Sequence, residues 1–253
     1  MRLSRFQYQD TAYEGVIKGD QVRVVNSMYE KPLQFTGLCF ALDDVQLLAP
    51  SLPSKIICAG VNYRAHQEDG HALPLQPFLF LKPPTAATAT GQDIPFPRLS
   101  QRVGFEGEIA VVIGRAAADI CADQVDDVIL GYCCANDVSA LDIQHAEKNF
   151  GTAKNFPGFA PFGPWIETEV DGKDLWLETR LNGELKQRSH CSDLVFPVDE
   201  LVAYISQVMP LQPGDLILTG TPRGMGDMQP GDEVEISVSG IGTLSNRLGP
   251  QGK

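Results

Sequence analysis

Apolar positions fall into two kinds of run along this chain. Up to about residue 50 they alternate with polar ones over short distances. Examples are Tyr13-Glu14-Gly15-Val16-Ile17 and, after the turn Lys18-Gly19-Asp20, Gln21-Val22-Arg23-Val24-Val25. Period-2 patterning between turn residues predicts a small N-terminal β element over residues 1–50. Ala49-Pro50-Ser51-Leu52-Pro53 then forms a short, stiff linker. From Ser54 onward the apolar runs lengthen. Strands are predicted at Lys55–Val61, Phe78–Leu81, Ile109–Ile113, Val128–Tyr132, Asp215–Thr219 and Asp232–Val238. Helical spacing occurs at Val138–Asn149, with Asp137 as its N-cap, and at Leu194–Met209, where Val198, Leu201, Val202, Ile205 and Val208 share a face. Strands dominate, helices are two or three, and no regular βαβ alternation occurs. The fold class is therefore α+β, with one main domain over residues 54–250.

Composition narrows the classes of function. With 253 residues the chain can bury a sizeable core, and 43% apolar with 21% charged residues is ordinary for a globular domain. A net charge of −12 with no Lys/Arg-rich block argues against a nucleic-acid partner. No apolar run is long enough to span a bilayer, and Met1-Arg2-Leu3-Ser4-Arg5 lacks the apolar core of a signal peptide, so a cytoplasmic protein with no membrane partner is expected. The six cysteines show no Cys-x-x-Cys spacing and are expected as buried thiols, with Cys133 and Cys134 facing opposite ways on a strand. Phosphate-loop, dinucleotide-binding, Gly-x-Ser-x-Gly and His-Glu-x-x-His motifs are all absent from the sequence.

The chemistry-bearing residues begin with Glu106-Gly107-Glu108, at the head of the Ile109–Ile113 run. Residues i and i+2 of a strand share a face, so both carboxylates point into one space and repel unless a positive charge separates them. The next strand leads to Asp137. Three converging carboxylates suit a hard, oxygen-seeking divalent cation, although a lone Glu-x-Glu more often describes a solvated strand edge. The polar segment Asn62–His71 follows a strand and, if helical, sets His66 and Asp69 on one face as a base and its orienting carboxylate. Taken alone it also reads as an exposed turn. Lys154 is a single cation in a Gly- and Phe-rich loop, and Thr219-Gly220-Thr221-Pro222 closes a strand with two hydroxyls.

These pieces occur in a particular order: Asn62-Tyr63-x-x-His66, Phe80-Leu81-Lys82-Pro83, Glu106-x-Glu108, Asn136-Asp137-Val138-Ser139-Ala140, Lys154, Pro161-Phe162-Gly163-Pro164, Asn182-Gly183-Glu184 and Thr219-Gly220-Thr221-Pro222. The series resembles the fumarylacetoacetate hydrolase family over roughly residues 54 to 248. The resemblance implies a mixed β-sheet roll, usually a homodimer, that binds Mg2+ or Mn2+ through Glu106, Glu108 and Asp137 and acts on small-molecule 2-oxo acids. It implies His66 as the base on a mobile lid, with Asp69 or Glu68 as its acidic partner. It also implies Lys154 beside metal and substrate, and substrate contacts from Gln144, Thr221, Lys82 and Tyr63. Two departures stand out. The acidic partner three residues after His66 is Asp69, where the family usually has Glu, and Leu141 occupies a position that often holds Arg. The expected function is hydrolysis of acylpyruvate-type 2,4-dioxo acids. Family alternatives are decarboxylation of an oxaloacetate-like acid and isomerisation or hydration of an oxo-dienoate; a silent binder of metal and 2-oxo acid is the reading outside catalysis.

Overall fold

The computed structural model describes residues 1–69, 72–147 and 150–251, with only the backbone of Asp69. Among these residues the strands form sheets of twelve, three and five members, with parallel and antiparallel neighbours mixed. The α+β roll expected from the sequence is the fold observed.

The largest sheet is organised around Gly107–Ile113, which pairs antiparallel with both Ile129–Asn136 and Leu216–Leu218. Leu216–Leu218 in turn runs parallel to Ile56–Gly60, and Phe78–Lys82 closes that edge. These central strands are covered on both faces, which explains apolar runs without alternation. Ile109 faces one core, Ala110 and Val112 face another, and Val111 and Ile113 pack against the helix Val198–Val208 through Leu201, Val202 and Ile205. Cys133 and Cys134 belong to different clusters on opposite faces, as strand geometry requires. Four cysteines are buried, while Cys39 and Cys121 are exposed.

The N-terminal strands extend the same sheet, with Arg2 and Leu3 registered against Glu167 and Ile166. The proline-bearing linker lies against the body of the protein, where buried Ser51 donates to the Gly214 carbonyl at 2.9 Å.

Both helices begin later than their apolar spacing predicts. Ser139-Ala140 pairs with Val103-Gly104 as a short strand, so the first helix spans Leu141–Glu147 and Asp137 is not its cap. Lys148 and Asn149, the end of the expected helix, lie outside the described residues. The second helix starts at Val198 because Pro197 disfavours helical backbone before it. Leu194 and Val195 are instead engaged by Tyr63 and by the Asn62 carbonyl.

The glycine between the two glutamates has a packing reason. A Cβ on Gly107 would stand 2.0 Å from Thr179 Oγ1 and 3.0 Å from Gln187 Oε1, both on strands of the five-membered sheet. Gly107→Ala is therefore expected to cost about 1–3 kcal/mol or more through overpacking. Urea denaturation would measure it, and an unchanged midpoint would refute this account.

Candidate active site

Strand periodicity and a strand exit bring three carboxylates together. Glu106, Glu108 and Asp137 are buried, and one oxygen from each lies within 4.8 Å of the others. Neighbouring groups fix their positions. The Glu106 N–H donates to Asn136 Oδ1 at 2.9 Å, and Ser139 Oγ donates to Glu106 Oε1 at 2.8 Å. Glu108 Oε2 accepts the Gly220 N–H at 2.6 Å. Asp137 receives Lys82 on one oxygen and Lys154 on the other, the latter at 2.6 Å, and Lys154 also donates to Glu106 Oε2 at 2.8 Å.

The electrostatics follow from burial and from those neighbours. Burial opposes the charge on Lys154, yet Asp137 and Glu106 outweigh it and hold the ammonium above the ordinary lysine range. Burial likewise disfavours an ionised Asp137, but Lys154 and Lys82 prevail and keep its carboxyl below the usual range. Glu108 is the unbalanced member. Burial first, then Asp137 and Glu106, pushes its carboxyl well above the ordinary value, with Gly220 and Lys154 only partly offsetting this. Two ammonium groups thus face three carboxylates, an all-oxygen set short of positive charge. Such a set fits a hard dication of the Mg2+ or Mn2+ type and not a thiolate- or imidazole-seeking metal.

These groups open into a cavity of about 480 Å3 that also takes in His66, Gln144 and Thr221. His66 lies on the 3₁₀ turn Arg64–Asp69, directly after the Ile56–Gly60 strand. Between them Val61 adopts a φ of 55°, a left-handed conformation that is costly for a β-branched residue. Asn62 holds that corner: its side chain donates to the Thr219 and Phe196 carbonyls at 2.8 and 3.1 Å and accepts the Phe196 N–H at 2.9 Å. His66 Nε2 lies 2.7 Å from the Thr221 carbonyl. A carbonyl can only accept, so Nε2 carries a proton in this contact.

Several expected residues take other places. Thr221 lines the cavity, but its hydroxyl donates to the Gly107 carbonyl and accepts from Gln187 Nε2, both at 2.8 Å. Lys82 is buried behind Asp137, with a further bond to the Val138 carbonyl at 3.1 Å, outside the cavity lining. Tyr63 is fully buried in the hydrophobic core, again away from the lining, because its backbone pairs with Leu194. Glu68 is exposed and receives Arg223 Nη1 at 2.6 Å. The Asp69 side chain lies outside the described residues. Gln144 does line the cavity, and its Oε1 is buried with no hydrogen-bond partner. Leu141 packs beside Gly104 instead of lining the cavity.

Sequence reasoning missed Ser139, Gln187 and Arg223 as parts of this site. Ser139 follows Asp137 closely and Arg223 follows Thr221-Pro222, so proximity to a motif was a signal for both. Gln187 sits in the polar run Glu184–His190 and has no local signal. A second cavity of about 360 Å3, on the Arg64 side of the 3₁₀ turn, is lined by Asp126, Asp199 and Glu200 with Arg64 and Lys173, but among the described residues only Glu106, Glu108 and Asp137 bring their oxygens together closely enough to hold an ion.

The family described as "Fumarylacetoacetate (FAA) hydrolase C-terminal" matches residues 55–249. The chain belongs to the fumarylacetoacetate hydrolase family. A second family, "Rv2993c-like, N-terminal", matches residues 1–50. The chain is 42% identical to 2-hydroxyhepta-2,4-diene-1,7-dioate isomerase from Mycobacterium marinum, with a TM-score of 0.93 and 100% of each chain covered. It is 35% identical to oxaloacetate tautomerase YisK of Bacillus subtilis (strain 168) over 93% of this chain and 85% of that protein. It is 29% identical to maleylpyruvate hydrolase from Sphingobium sp. SYK-6, whose structure contains manganese (II) ion and pyruvate, with a TM-score of 0.82 and 98% and 99% of the two chains covered. Members of the fumarylacetoacetate hydrolase family are thus enzymes of several reaction types. In this one, no helix among the described residues is long and apolar enough to cross a membrane.

Proposed function

We propose that this member hydrolyses the C–C bond of acylpyruvate-type 2,4-dioxo acids, with Mg2+ or Mn2+ held by Glu106, Glu108 and Asp137. The observation that carries the reading is one cavity shared by a carboxylate triad, a buried lysine and the His66 imidazole. When bound, the cation supplies Lewis-acid stabilisation of negative charge on the 2-oxo acid's oxygens.

The chain's own residues supply the rest. His66 Nδ1 takes a proton from water while Nε2–H, fixed on the Thr221 carbonyl, keeps the ring oriented. The water oxygen bonds to the distal acyl carbon. The bond from that carbon to the pyruvate methylene breaks, and its electron pair passes to a pyruvate enolate, which is then protonated at carbon. Lys154, already charged and fixed between Glu106 and Asp137, favours negative charge on that enolate without reorganising. Gln144 Oε1 accepts a hydrogen bond from a substrate hydroxyl in the enol form. Phe80, Phe150, Val61 and Met225 provide apolar wall for the acyl group.

A second reading keeps the enolate and omits the water: His66 moves a proton between carbon and oxygen of an oxaloacetate-like acid. The tautomerase name of a relative that matches nearly the whole chain favours it. Pyruvate release from acetylpyruvate, run beside oxaloacetate enol–keto conversion and CO2 release in Mg2+, separates the two. Metal-dependent pyruvate release from acetylpyruvate is the expected result. Oxaloacetate conversion above its metal-catalysed background, with no acetylpyruvate cleavage, would replace the hydrolase by a tautomerase or decarboxylase.

A further inference from the structure

Gln187 is buried on the strand Glu184–His190 of the five-membered sheet, yet its amide reaches across to the largest sheet and has no part in the reaction above. Its Oε1 accepts the N–H of Gly107, the residue between the two glutamates, at 3.0 Å. Its Nε2 donates to Thr221 Oγ1 at 2.8 Å and to the Pro222 carbonyl at 2.7 Å. The Thr221 hydroxyl then donates to the Gly107 carbonyl at 2.8 Å and closes a ring. Donors and acceptors run one way round that ring, so the amide orientation and the Thr221 rotamer are fixed together. The two bonds from Nε2 fall on either side of the Thr221–Pro222 peptide, whose carbonyl receives His66 Nε2–H at 2.7 Å. Pro222 has no N–H with which to anchor that peptide. The loop beyond is seated tightly on the same strand: Gly224 has a φ of 99°, and a Cβ there would stand 2.0 Å from the Lys186 carbonyl oxygen.

We propose that Gln187 is a positioning residue: it ties the backbone between Glu106 and Glu108 to the peptide that receives His66, and so sets the separation between the imidazole and the carboxylates. The two halves of the site come from different segments of the chain. The carboxylates have their own partners in Asn136, Ser139, Lys154 and Gly220. His66 is carried on the 3₁₀ turn Arg64–Asp69. Gln187 bonds to the strand that bears the glutamates and to the peptide that meets His66, which gives both halves one frame. It does not line the cavity, so it acts through Thr221 and Pro222 and not on the substrate. A displacement of about 1 Å at a reacting group costs on the order of a hundredfold in rate. Loss of the amide therefore bears on the proton-transfer step, whereas the oxygens that would hold the metal keep their direct partners.

The role assigned to Gln187 rests on His66 acting as the base, and the experiment separates the two. Steady-state kinetics in Mg2+ on acetylpyruvate and on oxaloacetate, with the Mg2+-dependent Tm shift, would compare wild type, Gln187→Met, Thr221→Val and Thr221→Ser. Methionine matches glutamine in length and makes none of its three hydrogen bonds. Gln187→Met is expected to lower kcat about tenfold or more, with KM within about threefold and the Tm shift within about 2 °C of wild type. Thr221→Val keeps the carbonyl but opens the ring, so it should lose kcat in the same way, and Thr221→Ser should restore it to within about threefold. A kcat in Gln187→Met within about threefold of wild type would make the amide merely structural and overturn the proposal. So would loss of the metal shift together with kcat, or equal kcat in the two Thr221 variants. If Gln187→Met does not fold, the Thr221 pair decides by the same readouts. If wild type converts neither compound, the catalytic reading fails by itself. Nitrogen-15 NMR of the imidazoles in Mg2+-loaded protein then decides, with His66→Ala assigning the signal. The positioning role stands if His66 Nε2–H exchanges with water more slowly in wild type than in Gln187→Met, and falls if the two exchange alike.

Discussion

Removal of divalent metal is expected to abolish turnover, and its return is expected to raise thermal stability by about 5–10 °C. The size follows from mass action. A ligand at a hundred times its Kd stabilises the folded state by about 2.7 kcal/mol, and each kcal/mol moves Tm by about 2–4 °C at this chain length. The direction follows from the charges. Glu108 is the carboxyl that burial and its neighbours Asp137 and Glu106 most disfavour as an anion, and a dication among the three relieves that. Asp137→Asn keeps the shape and removes one charge, so its Mg2+-dependent Tm shift should fall below about 2 °C. It should also cost about 3–5 kcal/mol in metal-free protein, because Lys82 and Lys154 lose a shared buried partner. Turnover that survives EDTA, or a Tm indifferent to millimolar Mg2+ and Mn2+, would refute the metal assignment.

His66→Ala is expected to lower kcat by about 10²–10⁴-fold while leaving the metal-dependent Tm shift intact. The imidazole lies in the same cavity as the carboxylates but is held by the Thr221 carbonyl and is not one of the triad, so the two readouts separate. Loss of both together would mean that the 3₁₀ turn shapes the metal site, and His66 would then be a structural element. Retention of more than a tenth of wild-type kcat would remove it as the base. A wild-type protein with the metal shift but no turnover on any 2-oxo acid would be the silent binder that the carboxylate triad alone permits.

How much of this was legible in the sequence depends on the range of the interaction concerned. The Glu106–Glu108 pairing rests on a two-residue period, and their burial on the apolar run that follows; both are local properties of one strand. The opposed burial of Cys133 and Cys134 has the same origin. The first helix starts late because Ser139-Ala140 pairs with Val103-Gly104, a partner that no window around the helix contains. The second starts late because of Pro197, a signal present in the sequence, and the Val195 bond to the Asn62 carbonyl then holds the residues before it.

By itself, then, the chain's residue order determined an α+β fold, the central strands, the pair of carboxylates on one strand face and an acidic net charge without a Lys/Arg-rich block. These follow from periodicity and composition, which any short stretch displays. Tertiary structure decided the rest. It placed Lys82 and Lys154 on opposite oxygens of Asp137 and drew Tyr63 into the core. It engaged the Thr221 hydroxyl with Gly107 and Gln187, and brought Arg223 to Glu68 at the cavity rim. Each of these joins segments far apart in the chain. The direction of a buried or rim-bound charged side chain is set by which opposite charge and which free space the assembled sheets present, and neither exists until the sheets have closed on one another.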